Sequence, residues 1–372
     1  MKKERIIYIV IFILIAVLTF LTGHQAFLAA ALVLASYLLL SGIYTVFAGR
    51  KTETWLDCDP ECRKAEEKEV VFSIRNNSIL PLLRVEILFN VENLLTKEKT
   101  ALSFTCVAGP KRTRKLSFTA GDHFCGCLLL KAEMVRCGDP LWLFSKVIQS
   151  EDCRTQMMVL PELSEYPLSA EELEGYDMES FRFSDARTGT DSSETIGIRE
   201  YLPGDSVRTI HWKLSAKTDS VLVKEYGYPV DVRLLVLAEK SLPASKFSET
   251  SDGTIELLKR MESLTELSLS VSNTLLQMGI EHTFGWYHAE DELFITKRIC
   301  EQENIFQLMP EFLSAPFYCQ GKNAALHFLE SAEEKNYAGY VYIADPETKI
   351  EEGLESLKEY GQITVLTPES FQ

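Results

Sequence analysis

The chain has 372 residues, longer than one hydrophobic core usually absorbs, so two or more folded units are expected. Hydrophobic residues make up 46% and charged residues 25%, which excludes collagen-like, disordered and small disulfide-stapled classes. The net charge of −16 is uneven: residues 1–51 set five basic side chains against Glu4, a net of +4, and residues 52–372 carry −20. Phosphate-backbone binding rests on clustered Lys and Arg, so no nucleic-acid partner is expected for so acidic a body.

From Ile6 to Gly49 there is no Asp, Glu, Lys or Arg. Two apolar runs, Ile6–Thr22 and Ala26–Ala48, are split only by Gly23, His24 and Gln25. As helices they would rise about 26 Å and about 35 Å, close to a hydrocarbon core of roughly 30 Å. Residues 1–51 therefore read as a transmembrane hairpin with helices at about 6–22 and 26–48 in a lipid bilayer. Lys2, Lys3 and Arg5 flank one end, Arg50 and Lys51 the other, and the short loop carries no charge. The positive-inside rule then predicts a multi-pass protein of the cell membrane with both termini and the soluble domains cytoplasmic. A cleaved signal peptide has a shorter apolar region and no second span after it. Nine cysteines, an odd number without a C-x-x-C pair, read as unlinked thiols in a reducing compartment.

Residues 52–163 read as a β-sandwich-like domain. Strand-like pieces at Val70–Ile74, Leu83–Phe89, Ala101–Val107, Arg114–Thr119, Cys127–Met134 and Gln156–Leu160 are separated by turn signals such as Gly138-Asp139-Pro140. Residues 164–228 read as an exposed acidic connection followed by a dense polar segment. Residues 229–372 alternate strand and helix, beginning with the near-continuous apolar run Asp231–Ala238 and a helix over Thr254–Met278 that stops at Gly279. That alternation predicts an α/β unit built on a mostly parallel sheet.

The dense segment runs from Gly197 to Lys213. Pro203-Gly204 suits the centre of a type II turn. Asp205 is expected to cap a helix from Ser206 to about Lys217, with Arg208 bridging back to it, Ile210 and Leu214 on one face, Trp212 packed and the Tyr201 ring buried. A catalytic alternative uses Arg199, Asp205, Arg208 and His211 as an acid–base and anion-binding cluster. The usual nucleophile, zinc-protease, phosphate-loop and dinucleotide motifs are absent, so no catalytic residue and no cofactor are expected.

Arg199, Tyr201, Pro203-Gly204-Asp205, Arg208, Ile210, Trp212-Lys213 and Leu222-Val223-Lys224-Glu225 closely resemble the signature of the domain-of-unknown-function family 58. Asp139-Pro140-Leu141-Trp142-Leu143-Phe144 is similar to a second motif of that family. The resemblance implies a von Willebrand factor A-like, Rossmann-like C-terminal domain. It also implies a scaffold or adaptor that binds protein partners such as a MoxR-type AAA+ ATPase and a transglutaminase-like membrane protein. In that light the partner-binding residues are Arg199, Tyr201, Pro203, Gly204, Asp205, Arg208, His211, Trp212 and Lys213. The metal-dependent adhesion site of such domains needs Asp-x-Ser-x-Ser after the first strand. Here Leu237-Ala238-Glu239-Lys240-Ser241 stands instead, so Glu239, Ser241 and Asp345 read as remnants that hold no metal, and a metal-dependent adhesion module is the lesser alternative.

Overall fold

The computed structural model describes residues 2–148, 153–166, 183–189, 195–218, 220–229, 231–243, 251–319, 321–333, 335 and 337–368. The chain divides into two compact units, Met1–Leu160 and Pro161–Gln372.

The first unit opens with two helices, α1 (Lys2–Thr22) and α2 (Gln25–Phe47), each long and apolar enough to cross a membrane. The His24 ring caps α2 by accepting from the Ala26 amide. Two sheets follow. Strands β1 (Thr52–Cys58), β3 (Lys68–Asn76) and β6 (Arg112–Ala120) form an antiparallel sheet in the order β1-β3-β6. Strands β2 (Glu61–Arg63), β4 (Leu82–Asn93), β5 (Lys99–Ala108), β7 (Gly126–Gly138) and β9 (Arg154–Leu160) form the other, in the order β2-β9-β7-β4-β5. A short β8 (Ser145–Ile148) pairs with β7. Among the described residues of this unit only the β2–β9 pair is parallel.

Period-two alternation drives this packing. Val70, Phe72 and Ile74 of β3 face Val85, Ile87 and Phe89 of β4 across one shared core. Phe89 lies 5.2 Å from Phe72 and 4.9 Å from Phe118, ring centre to ring centre, and so stitches the two sheets together. None of the nine cysteines is in a disulfide; six are buried, and burial pushes the Cys137 thiol up to about 11.

In the second unit, β10 (Phe183–Gly189), β11 (Thr195–Glu200) and β12 (Leu222–Pro229) form a three-stranded antiparallel sheet with β12 in the middle. Much of the connection expected over 164–196 lies outside the described residues. Two of its described stretches are strands, because the extended run 222–229 offers both of its edges for pairing.

A five-stranded sheet follows: β13 (Asp231–Ala238), β14 (His282–His288), β15 (Leu293–Ile299), β16 (Tyr337–Ile343) and β17 (Gln362–Leu366), in the order β15-β14-β13-β16-β17. All neighbours are parallel except the edge strand β15. Between Leu234 and Ala238 the central strand is buried on both faces, which is why it reads as continuous apolar sequence. Leu235 and Leu237 pack on α6 (Ala324–Glu330) and α7 (Glu351–Lys358). The aromatic residues Phe284 and Trp286 meet Phe312 of α5 (Gln302–Ser314).

The longest helix, α4 (Ser251–Gln277), ends where Gly279 takes φ +78° and the Gly279 and Ile280 amides close on Leu276 and Leu275 carbonyls. That double closure is a Schellman ending, which favours glycine at this position. Residues 161–166 run along α4 in extended form. The amides of Glu162, Ser164 and Tyr166 donate to the side chains of Glu266, Ser270 and Thr274. A four-residue helix step rises about 6 Å, close to two residues of extended chain, so the two spacings stay in register.

Candidate functional site

The dense polar segment is built on β11 and β12. The Asp205 amide donates to the Leu202 carbonyl at 3.0 Å, closing the Leu202-Pro203-Gly204-Asp205 turn, and Gly204 takes φ +118° at its third position. Only glycine adopts that backbone without strain, as the Pro-Gly pair predicts. Asp205 does not cap a helix. Its two carboxylate oxygens are each 2.7 Å from Arg199 Nη1 and Nη2, a bidentate pair, and one of them also accepts from the Leu202 amide at 2.8 Å. Arg199, rather than Arg208, is thus the Asp205 partner. The guanidinium and that amide hold the carboxyl down to about 2.

The single helix expected from Ser206 is broken in two. Ser206 caps one 3₁₀ turn over Val207–Thr209, after which Ile210 pairs with Val223 and the His211 amide donates to the Leu222 carbonyl. This detour onto β12 ends the turn, and α3 (Trp212–Thr218) starts afresh. His211 serves as its cap, with Nδ1 accepting from the Leu214 amide at 3.2 Å. The structure therefore places Asp205 and His211 in separate hydrogen-bonding networks, one closed by Arg199 and the other by α3.

Two side chains lie opposite to expectation. Trp212, the first residue of α3, is 64% exposed, and Tyr201, just past β11, is 37% exposed. Val207, also 64% exposed, and Leu202, at 60%, are further exposed apolar side chains of the segment. Lys213 is exposed beside them, as are Pro203 and Arg208. Large exposed aromatics on a frame held by a bidentate ion pair are features of a recognition surface. Sequence spacing gave no sign of this exposure, since Trp212 sits one residue from the helical apolar face.

The second candidate lies past the C-terminal ends of β13 and β16, the point where strand order reverses and where open α/β sheets bind ligands. Glu239 is buried there and accepts from the Ser241 amide at 2.8 Å, the Ala324 amide at 2.7 Å, the Tyr318 hydroxyl at 3.2 Å and the Tyr342 hydroxyl. Burial, together with this carboxylate, drives both tyrosine hydroxyls far above their ordinary range. The carboxylate thus occupies the N-terminus of α6, where an external anion would otherwise sit.

Lys240, equally buried, donates to the Phe312 and Ala315 carbonyls at 2.5 and 2.7 Å and lies over the Phe312 ring. Asp345 accepts from Arg260 Nη1 at 3.2 Å and from the Glu347 amide at 2.9 Å. A guanidinium therefore stands against Asp345 where a hard cation would need to bind, and Glu239 has its donors from the protein itself. Among the described residues no group of three His, Cys, Asp or Glu side chains is arranged to hold a metal ion.

No curated protein matches the chain. Solved structures similar in part include a CARDB domain from Pyrococcus furiosus crystallised with di-metal ions, at 9% identity and TM-score 0.24, covering 30% of this chain and 88% of that one. A β-glucosidase from Listeria innocua matches at 10% identity and TM-score 0.22, covering 29% of this chain and 16% of its own. The alkylpurine DNA glycosylase AlkC of Pseudomonas fluorescens, bound to DNA with an abasic site analogue, matches at 10% identity and TM-score 0.21, covering 35% and 38%. At those scores none of the three bears on fold or function. The profile of one family, described as protein of unknown function DUF58, matches residues 197–298, from the Arg199–Asp205 turn through β13 and α4 to the β14–β15 hairpin.

Proposed function

We propose that this chain is a membrane-anchored adaptor that docks a protein partner on the surface formed by Leu202, Val207 and Trp212. The observation that supports it best is the exposure of Val207 in the 3₁₀ turn and of Trp212 at the start of α3, both following the Leu202–Asp205 turn that the Arg199–Asp205 pair closes. A tryptophan and aliphatic neighbours displayed on a rigid frame supply contact area at low entropy cost, which is what the centre of a protein interface needs. The two apolar helices provide the anchor, with both ends cytoplasmic by the charge rule. The family resemblance supplies the partner class, a MoxR-type AAA+ ATPase, with a transglutaminase-like membrane protein as a second partner.

The five-stranded sheet, with one antiparallel edge and its site at the strand-order reversal, supports a von Willebrand A-like reading of the C-terminal unit. In this reading the adhesion site has become structural: Arg260 replaces the metal beside Asp345, and Glu239 caps α6. The test is affinity capture from native membranes with full-length wild type and Trp212→Ala, both first matched by circular dichroism. Enrichment of an AAA+ ATPase by wild type and its loss in the variant supports the reading. Equal enrichment by both overturns the docking surface, and no retained protein overturns the adaptor.

A further inference from the structure

The half of α2 nearest the sheets serves as a depth gauge. Between Tyr37 and Arg50 it carries no charge, and Leu39, Leu40, Ile43 and Phe47 remain exposed along one side. A run of that composition belongs in hydrocarbon, and from Tyr37 to Phe47 it rises about 15 Å, the thickness of one leaflet. Its other side is covered by protein. The Tyr37 hydroxyl donates to Asp139 Oδ2 at 3.0 Å, and the Tyr44 hydroxyl donates to the Pro81 carbonyl at 2.7 Å. On α1, Arg5 Nε donates to the Leu143 carbonyl at 2.5 Å. From Gln25 to Tyr37, above those contacts, α2 rises only about 18 Å, well short of a bilayer core. If the hairpin crosses, the loops touching its lower half must lie below the bilayer surface.

We propose that Asp139–Phe144, with the neighbouring turn at Ile79–Leu83, is a membrane wedge seated at the boundary between headgroups and acyl chains of the leaflet at the Arg5/Arg50 end of the hairpin, the depth that its contacts with Arg5 set. The proposal rests on the reading that the two helices cross a bilayer. An independent feature of the loop agrees with it. Irregular backbone at membrane depth must satisfy its own polar groups. Here the Asp139 amide donates to the Phe144 carbonyl, and the Trp142 amide returns to the Asp139 carbonyl. The Leu141 and Phe144 amides donate to the Asp139 carboxylate at 3.1 and 2.6 Å, and Pro140 has no amide hydrogen.

With Tyr37 added, that carboxylate is enclosed by donors, which makes a buried acid tolerable in such a place. What the loops leave exposed is apolar: Leu141 at 49% and Ile79 at 81%. Arginines mark the rim, Arg50 over Phe47 at 4.7 Å and Arg84 over Trp142 at 4.8 Å, as interfacial arginines and aromatics do. The wedge explains why the loop is apolar on the outside and closed on the inside, and it would hold the sheets at a fixed angle to the membrane.

The test places the photo-crosslinker p-benzoylphenylalanine singly at positions 39, 79, 141 and 131 of the full chain. The protein is held in nanodiscs of phosphatidylethanolamine and phosphatidylglycerol, and lipid adducts are read by mass spectrometry. Leu39 reports the hairpin, and the exposed Lys131, some seven residues up β7 from the loop, reports a site about 23 Å away in water. Adducts at 79 and 141 in yields like that at 39, and on the order of tenfold above that at 131, are expected. Adducts at 39 without adducts at 79 and 141 overturn the wedge while keeping the anchor. Absence of adducts at 39 overturns the membrane reading and the wedge with it.

Discussion

His282 should make the second unit acid-sensitive by a calculable amount. The ring is fully buried at the start of β14, and both of its nitrogens are used. Nδ1 lies 3.1 Å from the Ile280 carbonyl, which only accepts, so the proton resides on Nδ1 and Nε2 accepts from the Ser272 hydroxyl at 2.6 Å. Burial holds the ring down to about 4, whereas an unfolded histidine titrates near 6.5. As pH falls the unfolded chain therefore takes up the proton first. The stability is complete above about pH 6.5 and drains away as pH falls toward about 4. The gap corresponds to about 3 kcal/mol in full, of which about 2 kcal/mol is gone by pH 5.

The assay is urea unfolding of the detergent-solubilised chain followed by emission from the buried Trp286, with Trp55, Trp142 and Trp212 replaced by Phe. Between pH 8 and pH 5 the parent should lose about 2 kcal/mol more than His282→Gln, which has no ring to protonate. Equal losses in the two proteins would show that His282 is not the buried neutral group described here.

Three further outcomes follow from particular contacts. Phe89→Ala should cost the first unit about 3–5 kcal/mol, because Phe89 bridges Phe72 and Phe118 across the two sheets; chemical unfolding measures it. Thr274→Val keeps the shape of α4 but removes the acceptor of the buried Tyr166 amide, a loss of about 1–3 kcal/mol seen as faster exchange of that amide. Asp205→Ala should release the turn and raise tryptic cleavage after Arg208 on the order of tenfold, since the bidentate pair no longer closes it. In the parent the Leu202 amide, which donates to this carboxylate, should keep its protection from hydrogen exchange with falling pH until the carboxyl, held down to about 2, begins to protonate. Exchange protection that fades near pH 4, the ordinary carboxylate range, would contradict the Arg199 pairing.

Local patterns carried much of the architecture. Alternation in Leu83–Phe89 fell within β4, the apolar run 231–238 is β13, and the Thr254–Met278 periodicity with Gly279 marks α4 and its ending. Contacts between distant residues were not legible. Phe183-Ser184-Asp185-Ala186-Arg187-Thr188-Gly189 has no apolar alternation, and it is a strand only because β12 offers it an edge. The edge strand β15 is likewise defined by its pairing with β14.

At the candidate site, residue identity indicated the turn but not the partner. Local helical spacing pointed Asp205 to Arg208, whereas strand pairing brings Arg199 to it from six residues before. The break that sets Trp212 at the start of a separate helix follows the Ile210–Val223 bridge, which no periodicity encodes. Tyr37 and Asp139, 102 residues apart, meet only in the folded chain.

The most direct measurement is the affinity of the full chain, reconstituted in nanodiscs, for the AAA+ ATPase recovered in the capture experiment, with wild type beside Trp212→Ala. A central tryptophan in an interface carries about 2 kcal/mol or more, so the account predicts a dissociation constant at least about tenfold weaker for the variant. An unchanged constant, with both proteins equally folded, would contradict it and move the docking surface away from the 197–223 segment.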